Sequence, residues 1–361
     1  MMKKIIFYAP LGKNTPPDKI GGAEAGCLKT KRIYEDAGFQ VVVIDKPAMS
    51  QGRFRFLIEM LITPVKLLFT ALREGKKIPV HIVGFYTKIA KYEWLLMKIA
   101  HFCGNKVIYE LRNGSMIVTY EEGSDKYRKT LEDLLLQPEV VLCQGQEYVD
   151  FIESKWNVER SYYPNYIMDD FMKANDLNRS HPLRLIYFGR VTKSKNVDVI
   201  IEVLHILRKS GIEAVLDIIG GYDDEYKKYL NNLISTDGID KYVSFYGRKS
   251  FNFIAEKLRG AHYFVFPSTE KQEGHSNSLT EAMGCGVVPI VSTAGFNRSI
   301  CGYAELVVTK IEAQNFADVI IKIESNNEWA KYSNLVYNRV KTNFTQGIVS
   351  KKLIGYVNNL F

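Results

Sequence analysis

Short apolar runs alternate with longer amphipathic stretches along nearly the whole chain, and this alternation constrains the fold more than any other feature. Each apolar run has the length of a strand, and most intervening stretches have the length of a helix. The predicted strands are Lys3–Ala9, Phe39–Ile44, Ile78–Val83, Lys106–Leu111, Val140–Gln144, Ser161–Tyr163, Leu183–Phe188, Ala214–Ile219, Tyr242–Tyr246, 261–266 and Val287–Val291. The predicted helices include 23–37, 57–73, 87–102, 125–136 and 147–155, and 313–361 is mostly helical. This order predicts an α/β protein whose parallel sheets carry helices on both faces.

The length of the chain, 361 residues, favours two domains that each bury a core of their own. A polar stretch that ends in proline, Lys173–Pro182, is typical of a linker. We therefore predict a first domain over residues 1–172, a linker over 173–182, a second domain over 183–340 and a C-terminal helix within 341–361.

The positions of the cysteines and histidines predict neither disulfide bonds nor a metal site. The five cysteines (Cys27, Cys103, Cys143, Cys285 and Cys301) are scattered, odd in number and without a C-x-x-C pair. They predict reduced thiols in a cytoplasmic protein. The six histidines form no ligand pattern, so no metal is predicted. The first residues lead directly into a strand and lack the apolar core of a signal peptide.

The net charge of +8 suggests nucleic acid, a membrane surface or an anionic substrate as partner. The basic residues are not interleaved with aromatic ones in the manner of RNA-binding proteins, so no nucleic-acid partner is predicted. Residues 46–77 hold seven Lys/Arg against two Glu, around an apolar stretch at 57–72 that charges and Pro64 interrupt. Two interpretations stay open for this segment. It is an interfacial helix on anionic lipid, or a buried helix whose basic stems reach solvent.

The stretch from Phe266 to Pro289 reads as a strand end, an acidic loop, a helix start and a second strand. Amide groups at such a helix start favour an anion. Glu273 precedes the helix start and Glu281 lies within the helix, with seven residues between them. The alternative is a capping box, in which Glu281 satisfies the amide of Ser278 and Glu273 is an ordinary loop carboxylate.

This E-x7-E spacing, within PSTEKQEG and EAMGCGVVP, resembles the retaining nucleotide-sugar glycosyltransferases of family 4. The resemblance implies two facing Rossmann-like domains with a cleft between them, the GT-B fold, whose last helix crosses back to the first domain. It also implies roles for individual residues. Glu273 would lie beside the donor sugar, Glu281 would bind the ribose hydroxyls, and the backbone of Asn277, Ser278 and Leu279 would cradle the diphosphate.

Five further positions match phosphate-binding or base-binding places of that family. Arg190 and Lys195 agree in identity and spacing with a pair that clamps the donor phosphates. Fixed cations of this kind neutralise the charge on a departing nucleoside diphosphate, and they can do so without Mg²⁺. Gly21 and Gly22 match a Gly-Gly that lets the backbone approach the diphosphate. The alternative is a plain flexible loop, which would show the same two glycines. Arg248 lies in the turn that the family places by the nucleotide base.

Two places depart from the family pattern. Many members carry a histidine where this chain has Arg112 and Asn113, on the acceptor side. A cation there could bind a phosphate-bearing acceptor, or Arg112 could simply pair with Glu110 or Glu121. After Pro289 the family shows a Gly-Gly, where this chain has the degenerate segment 294–298.

The resemblance predicts a metal-independent, retaining glycosyltransferase of the hexosyl type. Its donor is a nucleotide-diphosphate sugar, with UDP favoured over GDP, and it needs no other cofactor. The acceptor is a lipid-linked or polysaccharide intermediate of bacterial-type surface glycan synthesis. We expect the protein in the cytoplasm, with the inner face of the cytoplasmic membrane as a candidate location. The alternatives are a nucleotide-sugar epimerase of the same fold, which needs acid–base residues that the sequence does not show, or a non-catalytic nucleotide-sugar binder.

Overall fold

The computed structural model describes residues 2–12, 22–47, 52–87, 89–172 and 181–361. The chain divides into two compact units, of which the first is Met1–Asn165 with Val349–Phe361 and the second is Tyr166–Ile348. Each unit is built on one six-stranded parallel sheet with helices packed against it. The α/β class predicted from the alternation of strands and helices is confirmed.

The first strand of the first unit lies next to the edge strand of its sheet. Its strands are β1 (Lys4–Ala9), β2 (Gln40–Asp45), β3 (Val80–Gly84), β4 (Val107–Leu111), β5 (Val140–Cys143) and β6 (Arg160–Tyr162). Its helices are α1 (Gly22–Asp36), α2 (Arg53–Glu74), α3 (Ala90–Phe102), α4 (Met116–Glu121), α5 (Asp125–Leu135) and α6 (Gln146–Lys155). The strand order β2-β1-β3-β4-β5-β6 reverses the direction of winding between β1 and β3. The short helix α4 was not predicted, because six residues are too few to show a helical period.

The second unit repeats this plan with a different strand order. Its strands are β7 (Leu183–Phe188), β8 (Ala214–Ile219), β9 (Val243–Phe245), β10 (Tyr263–Phe266), β11 (Val288–Ser292) and β12 (Val307–Val308). Its helices are α7 (Val197–Lys209), α8 (Asp224–Thr236), α9 (Phe251–Arg259), α10 (Asn277–Gly284), α11 (Asn297–Cys301), α12 (Ala313–Ser325) and α13 (Trp329–Asn343), and α14 (Gln346–Asn358) begins here and ends in the first unit. The order β12-β11-β10-β7-β8-β9 is that of a doubly wound sheet, with its switch point between β7 and β10.

The cores explain why the strands could be recognised from sequence. Every residue of β3, β4, β5, β10 and β11 is buried. A parallel sheet is covered by helices on both faces, so its strands read as continuous apolar runs.

The division between the units falls earlier in the chain than the linker predicted at 173–182, of which residues 173–180 lie outside the described residues. The segment after β6 already belongs to the second unit. The Ile167 amide donates to the Phe344 carbonyl at 2.9 Å, and the Ile167 side chain packs against Gly284. Farther along, the Phe171 ring lies 4.5 Å from that of Phe251. These contacts hold residues 166–172 on the second unit.

Candidate active site

The site lies at the switch point of the second sheet, where β7 and β10 are neighbours and their following loops diverge. In parallel sheets the crevice beyond the strand ends at such a point is where ligands bind. Several hydrogen bonds join these two loops, and two of them are short bonds to backbone carbonyls. The Thr269 amide donates to the Ser194 carbonyl at 2.8 Å, and the Asn196 side-chain amide donates to the Pro267 carbonyl at 2.8 Å. Asn196 adopts a left-handed conformation with φ of 49°, which Asn tolerates better than most residues.

Lys195 and Glu273 form an ion pair between these two loops. The ammonium of Lys195 binds Oε2 of Glu273, and the Ser268 hydroxyl donates to the same oxygen at 2.8 Å. The Lys195 ammonium also lies 5.3 Å from the centre of the Phe266 ring, a cation–π distance. The two paired side chains are only 8% and 11% exposed. The structure thus brings together two predicted site residues and holds their charges in place.

A second, looser pair lies beside the first. The Arg190 guanidinium is 3.8 Å from Oε2 of Glu270, and the Arg190 side chain is 71% exposed. The Arg190 backbone is held more firmly, because the Tyr187 hydroxyl donates to its carbonyl at 2.6 Å. Burial, with a smaller effect of Glu273, raises the pKa of Tyr187, so its hydroxyl stays a donor. Exposed ion pairs contribute about 1 kcal/mol at most, so Arg190 can exchange Glu270 for another anion at little cost.

Helix α10 begins in the same place, and its cap decides one of the open alternatives. The Ser276 hydroxyl accepts from the Leu279 amide at 3.3 Å, so Ser276 is the N-cap. The capping box on Ser278 is therefore wrong, because Glu281 is the fifth helical residue and stands beyond the first turn. The amides of Asn277 and Ser278 have no acceptor within the helix by helical geometry, and both residues are half-buried. The Leu279 amide, by contrast, is used by the cap.

Besides β7 and β10, a third strand contributes to the site: residues at and after the end of β11 contact the loop that holds Glu273. The Ser292 hydroxyl donates to the Ser268 carbonyl at 2.6 Å. Gly295 has a φ of +51°, and a Cβ built on it would overlap the carbonyl oxygen of Glu273. The segment 294–298, which departs from the family pattern, thus contains a glycine that the position of Glu273 requires.

Arg248 lies farther along the same edge of the sheet. It follows β9, is exposed, and its side chain lies against Gly221, which follows β8. At Gly220 the backbone φ is +157°, and an added Cβ would overlap the Gly189 carbonyl after β7. Because Gly220 has no Cβ, the backbone after β8 can lie against the backbone after β7, in the region between Arg190 and Arg248.

In the first unit, Arg112 forms an ion pair with Glu110, which was one of the two interpretations that the sequence left open for it. Its guanidinium lies 2.6 Å from Oε1 of Glu110, and both side chains are buried. His81 approaches the other oxygen of Glu110 at 3.1 Å. Burial raises the pKa of Glu110, but Arg112 and then His81 more than offset this, and the net shift is downward. Because it is enclosed in this pair, Arg112 is not a solvent-facing cation for a phosphate-bearing acceptor.

Asn113, the other residue predicted on the acceptor side, shapes a turn. Its φ is 81°, and its side-chain oxygen accepts from the amide and the hydroxyl of Ser115, each at 3.1 Å. Its carbonyl accepts from the Tyr148 hydroxyl at 2.6 Å. Gly22 is the first residue of α1 and is exposed, whereas Gly21 lies outside the described residues.

Sequence reasoning missed the residues that brace the site. Ser268 and Asn196 each stand beside a predicted motif, but nothing in their spacing shows that two loops more than 70 residues apart share hydrogen bonds. It also missed a buried ion pair in the first unit, where the Lys46 ammonium lies 2.6 Å from Oε1 of Glu93. A lysine two residues after a predicted strand was the available signal there.

Comparison with known proteins shows which proteins this chain resembles. Residues 169–341 match the family model described as Glycosyl transferases group 1. An uncharacterized glycosyltransferase of Methanocaldococcus jannaschii is 27% identical over 168 residues, which are 45% of this chain and 41% of that protein. A second one from the same organism is 25% identical over 149 residues, which are 40% of this chain and 39% of that protein. The chain thus spans about two fifths of the length of these curated relatives.

The solved structures extend the likeness to the whole chain. Sucrose-phosphate synthase from Thermosynechococcus elongatus has a TM-score of 0.76 at 15% identity, over 99% of both chains. HepE from Anabaena, in complex with UDP, has a TM-score of 0.72 at 15% identity, over 99% of this chain and 100% of that one. At such identities the likeness shows the fold alone. The fold is GT-B, as predicted. Together with the domain match, the fold supports the conclusion that this chain is a glycosyltransferase of the GT-B class.

Proposed function

We propose that this protein is a retaining, hexosyl-type glycosyltransferase that uses a nucleotide-diphosphate sugar, with UDP as the first candidate. The acceptor is a lipid-linked or polysaccharide intermediate of bacterial-type surface glycan synthesis. The observation that carries the proposal is the Lys195–Glu273 pair beside Arg190 and the start of α10, all at one switch point. The domain match over 169–341 supports it, as does the UDP bound in the structure of HepE.

The charges divide naturally between the parts of a nucleotide-sugar donor. Lys195 is a fixed cation, and Arg190 is a mobile one with a planar fork that suits phosphate oxygens. The free amides of Asn277 and Ser278 add the partial positive charge of a helix start. We assign the diphosphate to these groups, the ribose to Glu281 and the base to the turn at Arg248. The family resemblance adds Gly21 and Gly22 to the diphosphate-binding residues.

In the proposed reaction the bond between the anomeric carbon and the UDP phosphate oxygen breaks, and its electron pair stays on that oxygen. The acceptor hydroxyl forms the new bond on the same face and gives its proton to the departing phosphate. Arg190 and Lys195 offset the charge that develops on the diphosphate, so no divalent metal is needed. Glu273 stabilises the positive charge on the sugar ring and orients the ring, while Lys195 and Ser268 fix the carboxylate.

The protein would meet its donor in the cytoplasm. A lipid-linked acceptor would bring it to the inner face of the cytoplasmic membrane. Arg112 and Asn113, which the family resemblance put on the acceptor side, would then act by shaping the first unit rather than by binding the acceptor directly.

The test is incubation with a panel of UDP- and GDP-sugars, with release of the nucleotide and conversion of the sugar measured together. Slow release of UDP supports the proposal. Conversion to an epimer would replace it with the epimerase, and binding without either reaction would replace it with a non-catalytic binder. A donor at 100 times its Kd should stabilise the fold by about 2.7 kcal/mol, which a thermal-shift screen detects.

A matched pair of variants connects the activity to the site. Lys195→Met should lower turnover by about 10- to 100-fold, the value of one hydrogen bond to a charged group. Lys193→Met removes an exposed cation from the same turn and should leave turnover unchanged. Equal activity of the two variants, with folding confirmed by circular dichroism, would overturn the assignment of Lys195.

A further inference from the structure

Helix α2 presents a broad apolar face to solvent. Phe54, Leu61 and Phe69 are 78%, 77% and 67% exposed. The other exposed large apolar side chains of this face are Leu57, Ile58, Ile62, Val65 and Leu72. Their spacings of three, four and seven residues place all eight on one side of a helix with 3.6 residues per turn. Contiguous exposed apolar surface of this kind marks an interaction site.

The opposite face anchors the helix to its unit. Thr63, Leu67 and Ala71 are buried, and α2 packs on α3 and β2. Between α2 and α3 runs an apolar groove that continues the exposed face, lined by Leu57, Met60, Leu61, Pro64, Tyr92 and Leu95. The buried-helix interpretation therefore holds for one side of α2 only, and the other side is exposed apolar surface.

A row of cations borders the apolar face. Arg55, Lys66 and Arg73 follow one another at intervals of eleven and seven residues, about three and two whole turns, so they line up along one flank. The two acids of the helix already have cationic partners. Glu59 accepts from Arg55 at 2.9 Å, and Glu74 pairs with Lys4 at 2.7 Å and with Arg73 at 2.6 Å. Arg55 and Arg73 are exposed in these pairs, which therefore contribute little, and both cations can turn to another anion. Two more exposed lysines, 76 and 77, follow the helix end.

We infer that this face of α2 docks on the surface of an anionic lipid bilayer, with the helix lying in the plane of the interface. Apolar side chains flanked by cations are what such a surface recognises. None of the helices in the described part of the chain is long and apolar enough to span a membrane. A second copy fits less well, because a two-fold dimer with antiparallel α2 helices on this face would bring two positive rows together. The inference deepens the proposed lipid-linked acceptor, but its test needs no glycosyl transfer.

The experiment is vesicle flotation of the whole protein without donor. One set of vesicles is phosphatidylcholine, and the other is an equal mixture of phosphatidylcholine and phosphatidylglycerol. The triple variant Arg55→Gln/Lys66→Gln/Arg73→Gln should bind the anionic vesicles about 100-fold more weakly, since each cation near such a surface contributes about 1 kcal/mol. The variant Phe54→Ser/Leu61→Ser/Phe69→Ser should lose binding to both sets. Binding of the unaltered protein should weaken as salt is raised.

Matched controls remove similar groups elsewhere. Lys228→Gln/Lys351→Gln/Lys352→Gln takes away three exposed cations, and Phe102→Ser/Leu136→Ser takes away exposed apolar surface. Both should float like the unaltered protein. Equal recovery with neutral and anionic vesicles, or equal loss in the controls, would overturn the inference. Dimers in sedimentation that the serine variant abolishes, without flotation, would assign the face to a second copy instead. Because no donor is present, a failure of transfer would leave this result standing.

Discussion

Gly295 allows a direct test of whether catalysis depends on the position of Glu273, because it touches that loop without offering a side chain. Gly295→Ala should have two separable effects. The first is about 1–2 kcal/mol of lost unfolding free energy, for an L-residue held in the left-handed region. The second follows from the overlap of the new Cβ with the Glu273 carbonyl. Restoring van der Waals distance requires the loop to move on the order of 1 Å.

The displacement should be visible in turnover. A misplacement of about 1 Å near reacting groups can cost about 100-fold in rate. Gly238→Ala is the matched control, because Gly238 has a φ of +66° but a Cβ there meets no atom within 4 Å. It should show the first effect alone and keep full activity.

Urea unfolding measures the stability of both variants, and release of UDP from the best donor of the panel measures turnover. We expect Gly295→Ala to be the less stable variant and about 100-fold slower, with Gly238→Ala near the unaltered rate. If the two variants lose the same stability and turn over alike, Gly295 does not position the loop, or the loop position does not matter for the chemistry.

Three further predictions follow from the site and the buried ion pair. Glu281→Gln should weaken UDP binding about 10- to 100-fold in calorimetry with an unchanged melting temperature, because a charged hydrogen bond is lost while Ser276 still caps α10; equal affinity would count against the ribose role. The depressed pKa of Glu110 means that its pairing with Arg112 stabilises the fold above the ordinary Glu pKa of about 4.3 and is lost as pH falls through the lower folded pKa. Glu110→Gln should therefore cost about 3–5 kcal/mol at neutral pH and flatten the acid limb of stability, and an unaltered limb would contradict this. Turnover should survive EDTA, and activity lost to EDTA and restored by Mn²⁺ would refute metal independence.

Much of the fold could be predicted from the sequence because parallel strands are buried on both faces. Strands such as Leu183–Phe188 and Ala214–Ile219 appear in the structure with the predicted bounds. Among the elements that were missed, α4 and β12 have six and two residues, too few to carry a period. The segment 166–172 lies with the second unit, whereas the sequence placed it in the first domain, because its contact with Phe344 joins positions far apart in the chain.

The candidate site divides in the same way. The sequence alone determined that Lys195 and Glu273 each follow a buried strand, and that a helix starts just after Glu273. Only the tertiary structure decided that the two side chains meet, because the strand order sets β10 beside β7. The structure also decided which partner Arg112 has. Residues two apart along a strand point to the same face, so Glu110 and Arg112 are buried together. A buried charge without a partner costs several kcal/mol, so the two side chains stay paired.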